Sequence, residues 1–391
     1  MAMASQQAST MPAPNLTPDS TTSASVEALP TAPAPSFTPD LLTLIITTSP
    51  TPSAPSTELL ETIILSFRKH CPDLTECRVI LVIDTYDHVA PHGKHARLKK
   101  GVVTAEGAKN HADYAANAKT FILNEFSQNG EDSDDSDQEL IMSIGRAEFG
   151  CTAYAHKDNA VPFAITETKD GRVTFIEPMQ RLGFGLAVRS ALRLTKTPYV
   201  WVQQHDWSLV YDIPLAPLLN IMQESEYEPE LDSESQQTVT VPVKYVCFPA
   251  VRMLQYANSP HVMDFPALRG LTSQLKQDFT SQSQPDADKI PLTPLFFWHD
   301  KPHIASTEHY LARVFPNRLA MLRGAFIEDT AGHRARTDMK DGLWAKWACW
   351  LYYPDEGKQL CVRHLKGRTW RGAEAELTQK MEWLRLNGRE A

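Results

Sequence analysis

The chain has 391 residues, 42% of them hydrophobic and 22% charged, with a formal net charge of -9. That apolar content can bury the core of one large domain or two, while the acidic balance argues against nucleic acid or an anionic membrane surface as the main partner. Six cysteines without a CxxC pair suggest reduced core thiols rather than a zinc knuckle or a disulfide framework.

No apolar run approaches the roughly 18 residues of a membrane span. Residues 1–36 carry no Lys or Arg and no long apolar core, so they read neither as a secretory signal nor as a transit peptide. A cytoplasmic location is the expectation. Rich in Ala, Ser, Thr and Pro, the same residues read as a disordered tail, with one α/β domain over 37–391.

Leu41 to Thr47 is a continuous, β-branched run that suits a strand covered on both faces. The proline-laced loop after it leads to a helical pattern at Leu59, Leu60, Ile63, Ile64 and Phe67, with Ser56 or Thr57 as N-cap. Arg78 to Ile83 reads as a second buried strand, ending at Asp84. This start predicts two parallel strands joined by a right-handed crossover. His88 to Lys100 holds three histidines among basic residues, at no spacing that suits a ligand set, and reads as a solvated loop. Asn110 to Phe126 is expected to be helical, followed by an acidic insertion at 127–139.

Ala160 to Ile165 and Val173 to Ile176 are short apolar runs. The next helical pattern has Leu182, Leu186, Ala187, Ala191 and Leu194 on one side and Arg189, Arg193 and Lys196 on the other. Tyr199 to Val202 suits a buried strand, and Gln203-Gln204-His205-Asp206-Trp207 follows it. Polar residues just past a strand occupy the edge where open α/β sheets bind ligands. Beyond lie a helix from Ile213-Pro214 to Met222, a polar insertion at 223–237, a strand at Tyr245 to Ala250, a polar, loop-like segment at 274–289 and a helix at Glu308 to Phe315. Gly324 to Thr330 is expected as a short strand or turn ending in Glu328 and Asp329. Trp344 to Tyr353, dense in aromatics, is expected in the core rather than as a sugar platform. Leu360 to Arg371 reads as a strand running into a basic turn, and 372–391 as a final amphipathic helix.

Thr47 and Thr48, Asp84, His205 and Asp206, Glu328 and Asp329, and His364 all fall just past predicted strands. In a parallel-dominated sheet these ends would converge. Structural alternatives stand beside them: Asp84 as a cap, Glu328-Asp329 as an N-cap pair, and His364 to Arg371 as a surface turn.

Taken together, the motifs resemble those of GT-A type nucleotide-sugar glycosyltransferases, over roughly Leu41 to Arg371. The resemblance rests on Ile45-Ile46-Thr47-Thr48-Ser49-Pro50, on Asp84, on Arg181-Leu182-Gly183, on Gln204-His205-Asp206, on Gly324-Ala325-Phe326-Ile327-Glu328-Asp329 and on His364-Leu365-Lys366-Gly367-Arg368-Thr369-Trp370. It implies a GT-A-like, Rossmann-like, mixed and mostly parallel sheet flanked by helices. Within it, 37–222 would form the nucleotide-binding half and 241–371 the acceptor and catalytic half. It also implies a nucleotide-sugar donor held by Thr47, Thr48, Asp84, Arg181, Gly183, Lys366 and Arg368, and a hydroxyl acceptor.

A Mn²⁺ or Mg²⁺ ion would rest on Asp206, His205 and His364, because Gln204 stands where the family has the first Asp of its Asp-x-Asp motif. Alternatively, Lys366 and Arg368 would neutralise the diphosphate themselves. Inverting transfer needs a general base, the role of Asp329, with Glu328 second. Trp207, Trp298 and Trp370 are candidates to stack on sugar rings. Two other classes compete. Gln204 and the acidic insertions motivate a catalytically silent binding or scaffold module. A nucleotidyltransferase would be expected to carry a Gly-, Arg- and Lys-bearing loop after the first strand, which Ser49 to Thr57 lacks.

Overall fold

The computed structural model describes residues 39–90, 100–126, 140–150, 159–226, 241–281, 289–317 and 319–386. The expected tail, the acidic insertion at 127–139, most of the insertion at 223–237, and His92 and His95 lie outside the described residues.

β1 (Leu42–Thr48) is buried at every position, as its unbroken apolar run requires. α1 (Glu58–His70) turns Leu60, Ile63, Ile64 and Phe67 into the core. The single turn α2 (Asp73–Glu76) precedes β2 (Arg78–Ile83), which pairs parallel with β1. Two short strands, β3 (His88–Val89) and β4 (Val102–Val103), pair with each other before α3 (Ala105–Phe126). β5 (Leu140–Glu148) and β6 (Ala160–Thr168) are antiparallel, and β6 lies against β7 (Val173–Pro178), which is parallel to β2. α4 (Phe184–Leu192) then leads back to β8 (Tyr199–Gln204), parallel to β1 on its other side.

The second half starts with β9 (Trp207–Leu209), α5 (Leu215–Glu224) and β10 (Tyr245–Cys247). α6 (Pro260–Met263), α7 (Pro266–Leu275), β11 (Gln277–Phe279) and β12 (Ile290–Pro294) follow. β13 (His303–Ser306) and α8 (Thr307–Val314) come next, then a π-helical turn at Glu328–Gly332 that runs into α9 (His333–Lys340). α10 (Trp344–Trp347), β14 (Cys349–Tyr352), β15 (Val362–His364) and α11 (Ala373–Leu386) complete the fold.

One eleven-stranded sheet runs β11-β12-β14-β10-β13-β8-β1-β2-β7-β6-β5. It is α/β and mixed rather than mostly parallel, since six of its ten neighbouring pairs are antiparallel. Parallel pairing fills the centre, β7-β2-β1-β8, and recurs at β10-β14. Antiparallel β13 joins β8, so the two expected halves share one sheet. β13 and β14 are buried at every position, which removes the in-out alternation that marks an antiparallel strand in a sequence.

α4 departs from the expected amphipathic pattern, because all nine of its residues are buried. It packs against β1 and β2 on one side and against α8 and β5 on others. Arg189, expected on a polar face, is enclosed: its guanidinium donates to the Glu148 carbonyl oxygen and lies 6.0 Å from the Phe315 ring centroid.

Trp344, Trp347 and Trp350 are core residues, and the five described cysteines are free and buried. Among the described residues, no helix is long and apolar enough to cross a membrane.

Candidate functional site

From β1 the chain moves outward through β2 to β7, then returns through α4 to β8 on the far side of β1. This reversal makes the carboxyl ends of β1 and β8 a topological switch point, where doubly wound sheets leave a ligand crevice. A cavity of about 400 Å³ opens there, a size usual for small-molecule sites. Of the residues singled out in the sequence, Thr47, Thr48, Asp84, Arg181, Gly183, His205, Asp206 and Arg368 line it.

Asp206 lies at the turn between β8 and β9. Gln203 shapes that turn: fully buried, its amide donates to the carbonyls of Gln204 and Trp207 while its own oxygen accepts from the Trp201 indole. β15 pairs with β9 so that His364 falls opposite Trp207. The two rings stack with centroids 4.7 Å apart, and His364 Nε2 comes 3.0 Å from Asp206 Oδ2. The same oxygen accepts from the Gly367 backbone N–H at 2.9 Å. Burial alone would push the Asp206 carboxyl up, but the hydrogen bond from His364, the nearby His205 and the Gly367 amide hold it below the usual carboxylate range.

His205 is buried, with Nδ1 3.2 Å from the Thr47 carbonyl oxygen. That contact places the proton on Nδ1 and leaves a lone pair on Nε2, a buried atom without a hydrogen-bond partner. Burial pushes the imidazole below its ordinary value. A Cβ on Gly367 would come 2.8 Å from His205 Nε2 and 3.0 Å from Asp206 Oδ2. Glycine at 367 therefore keeps the space between those two atoms open.

Asp84 caps a loop. Its Oδ1 accepts from the Leu182 N–H at 2.7 Å and the Thr85 N–H at 3.0 Å, and its Oδ2 from the Gly183 N–H at 2.8 Å. Burial raises its carboxyl in spite of those three donors. The loop it fixes runs into α4 and carries Arg181 and Gly183. Gly183 has φ +79°, and a Cβ there would lie 2.4 Å from the Gly324 Cα. Two glycines thus let the Arg181–Gly183 loop and the Gly324–Asp329 segment touch backbone to backbone, with Gly324 N–H donating to the Leu182 carbonyl at 2.7 Å. Arg181 Nη1 pairs with Asp87 Oδ2 at 3.1 Å, while Arg323 takes Asp87 Oδ1 at 2.7 Å.

Glu328 and Asp329 open a π-helical turn rather than following a strand. Glu328 Oε1 accepts from His299 at 2.9 Å, from the Asp300 N–H at 3.0 Å and from Lys301 at 3.2 Å. Burial opposes its ionisation, yet the His299 hydrogen bond and the Lys301 charge bring it down to about 2. Such an acid is a weak base. Asp329 is exposed and close enough to the cavity-lining Lys100 to raise the affinity of that ammonium for its proton.

The tryptophans divide. Trp207 covers one face of His364. Trp370 is buried, its indole 3.4 Å from Glu58 Oε2 on α1. Trp298 is fully buried among Tyr245, Tyr310 and Trp347, which leaves no ring face for a sugar. Lys366 is exposed, in the left-handed conformation that turns the chain after His364.

Lys100 and Asp300 are functional candidates that sequence reasoning passed over. Lys100 ends the run read as a solvated loop; the signal was the glycine after it, Gly101 at φ +80°, which turns the chain into β4 and the cavity wall. Asp300 is buried, and its carbonyl accepts from the Gln204 amide at 2.8 Å. Its Oδ1 accepts from the Glu328 N–H at 3.2 Å. Asp300 thus ties the end of β8 to the turn that carries Asp329. No short motif marked it.

Asp206 and the lone pair of His205 Nε2 are the donors left for a divalent cation, because His364 Nε2 gives its proton to the hydrogen bond with Asp206 Oδ2. Mg²⁺ and Mn²⁺ suit so small a set when substrate phosphates complete the shell. Among the described residues, no group of three or more His, Cys, Asp or Glu side chains is gathered as a metal site. Comparison with known proteins finds no matching family model and no similar curated protein.

Proposed function

We propose that the chain is a GT-A type glycosyltransferase that moves a sugar from a nucleotide-diphosphate donor to an acceptor hydroxyl with inversion. The observation that carries this reading is the charge pattern of the switch-point cavity. Asp206, held ionised against His364, lines a space of small-molecule size together with Lys100 and Arg368.

In this reading the nucleoside lies against the ends of β1 and β2, near Thr47, Thr48 and the loop fixed by Asp84. Arg368 and Lys366 attract the diphosphate. Asp206 and His205 would hold a Mn²⁺ or Mg²⁺ ion together with the diphosphate, with His364 joining only once its Nε2 gives up the proton it shares with Asp206; when bound, the ion supplies positive charge to the departing diphosphate. Asp329 takes the acceptor proton while the acceptor oxygen bonds to the sugar's anomeric carbon. The bond from that carbon to the phosphate oxygen breaks, and its electron pair leaves with the diphosphate. Glu328, held ionised by His299 and Lys301, is too weak a base for that step.

A panel of UDP-, GDP- and CMP-sugars, assayed for transfer or hydrolysis with and without Mn²⁺, tests the proposal. One donor should turn over, and Asp329→Asn should lower kcat by about 10²- to 10⁴-fold with little change in KM. No turnover of any donor by the wild type contradicts it. Binding without turnover favours a silent binding module.

A further inference from the structure

We propose that Lys100 contacts the donor's diphosphate directly and is a further catalytic residue, stabilising the leaving group independently of any metal. The proposal rests on the nucleotide-sugar reading of the cavity.

Lys100 lines the cavity together with Arg181 and Arg368, but the three cations are not equivalent. Arg181 is already paired with Asp87, which also holds Arg323. Lys100 has no carboxylate partner among the described residues. Its ammonium sits instead over the Phe326 ring, 3.6 Å from the centroid, and Phe326 lines the same cavity. Lys100 is exposed, and an aromatic face holds an ammonium while leaving its N–H donors available. Arg368, also without an ion pair among the described residues, and Asp329 both lie within electrostatic reach of Lys100. Partial burial first, and then the charges of Arg181 and Arg368, lower the affinity of Lys100 for its proton; the second part is the strain of bringing like charges together. An anion bound at Lys100 relieves that part.

The sequence at β8 gives a separate reason for a protein cation here. Gln204 stands where the resemblance expects a carboxylate, and its amide is engaged with the Asp300 carbonyl at 2.8 Å. One negative charge fewer means a weaker hold on a divalent cation. In transfer, the bond between the anomeric carbon and the phosphate oxygen breaks and that oxygen keeps the electron pair. Lys100 donates a hydrogen bond to the diphosphate as its charge grows and keeps its own proton, while the acceptor's proton goes to Asp329.

The test is calorimetric titration of the full chain with inorganic pyrophosphate, UDP and GDP, in EDTA and then in Mn²⁺. Wild type, Lys100→Gln and Lys100→Arg are compared after thermal melts confirm that they fold alike. The wild type should bind in EDTA. Lys100→Gln should weaken binding by about tenfold to a hundredfold, the loss of one charged hydrogen bond, and flatten its salt dependence. Lys100→Arg should keep most of the affinity. With a donor that turns over, Lys100→Gln should lower kcat more than it raises KM. If Lys100→Gln binds every ligand as tightly as the wild type, the Lys100 proposal fails while the nucleotide reading stands. If pyrophosphate binds in a Lys100-dependent way and neither nucleotide binds, the Lys100 site stands and the nucleotide reading falls. If the wild type binds none of them, both fall.

Discussion

The strand-end wall of the cavity and its loop wall hold their charges in opposite ways. At the strand ends, Asp84 is saturated by three backbone N–H groups and Asp206 by His364 and the Gly367 amide. On the loop wall, Lys100 rests on an aromatic ring and Arg368 is exposed, neither with an ion pair among the described residues. The first wall is hydrogen-bonded within the fold, apart from His205 Nε2. The second is left to be completed by a ligand. Strand-end carboxylates therefore need not be the ligand's direct partners; Asp84 in particular does its work by fixing the loop that bears Arg181.

The comparison breaks most easily where the frame has no room. Gly183→Ala places a Cβ 2.4 Å from the Gly324 Cα at φ +79°. The left-handed backbone and the collision should together cost at least ~2 kcal/mol, measured by urea denaturation, with ligand binding lost as well. Wild-type stability in this variant would mean that the two backbones do not touch.

Asp84→Ala comes next. It strands the buried N–H groups of Leu182 and Gly183, and unmet buried donors cost about 1–3 kcal/mol each. Stability should fall by about 2–4 kcal/mol, with part of it recovered in Asp84→Asn, which keeps one acceptor oxygen. Loss of nucleotide binding at full stability would instead make Asp84 a direct ligand contact.

A third effect is read from pH. Glu328 titrates at about 2 in the folded chain against an ordinary 4.5. Its folded value is the lower one, so the unfolded chain binds more protons between these values and stability rises with pH across that window. The contribution is complete above about 4.5 and lost as pH falls toward 2. Glu328→Gln should remove that part of the slope in denaturation curves. An unchanged slope would show that His299 and Lys301 do not hold the carboxylate.

Much of the frame was legible in the sequence. β1, α1, β2 and β8 lie where their continuous apolar runs or helical spacing predicted, and Asp84 and Asp206 end their strands on one edge. The meeting of His364 with Asp206 followed from motif order, although β15 delivers it through a separate two-stranded sheet rather than the main one. The second half was harder to read. Its strands are three to five residues long, too short for periodicity to show. Buried Arg189 and Trp298 were misplaced because spacing cannot tell that α4 is enclosed on every side, or that an aromatic run faces inward. Lys100 was missed because its loop is basic throughout, and only tertiary placement selects one ammonium.

Hydrogen exchange of the full chain with and without each of the UDP-, GDP- and CMP-sugars tests the central claim most directly. One nucleotide sugar should slow exchange at both 100–104 and 364–370, the two sides of the loop wall, and leave the edge strand β5 unchanged. Exchange at both segments that stays the same with every donor would contradict a nucleotide-sugar site at this switch point.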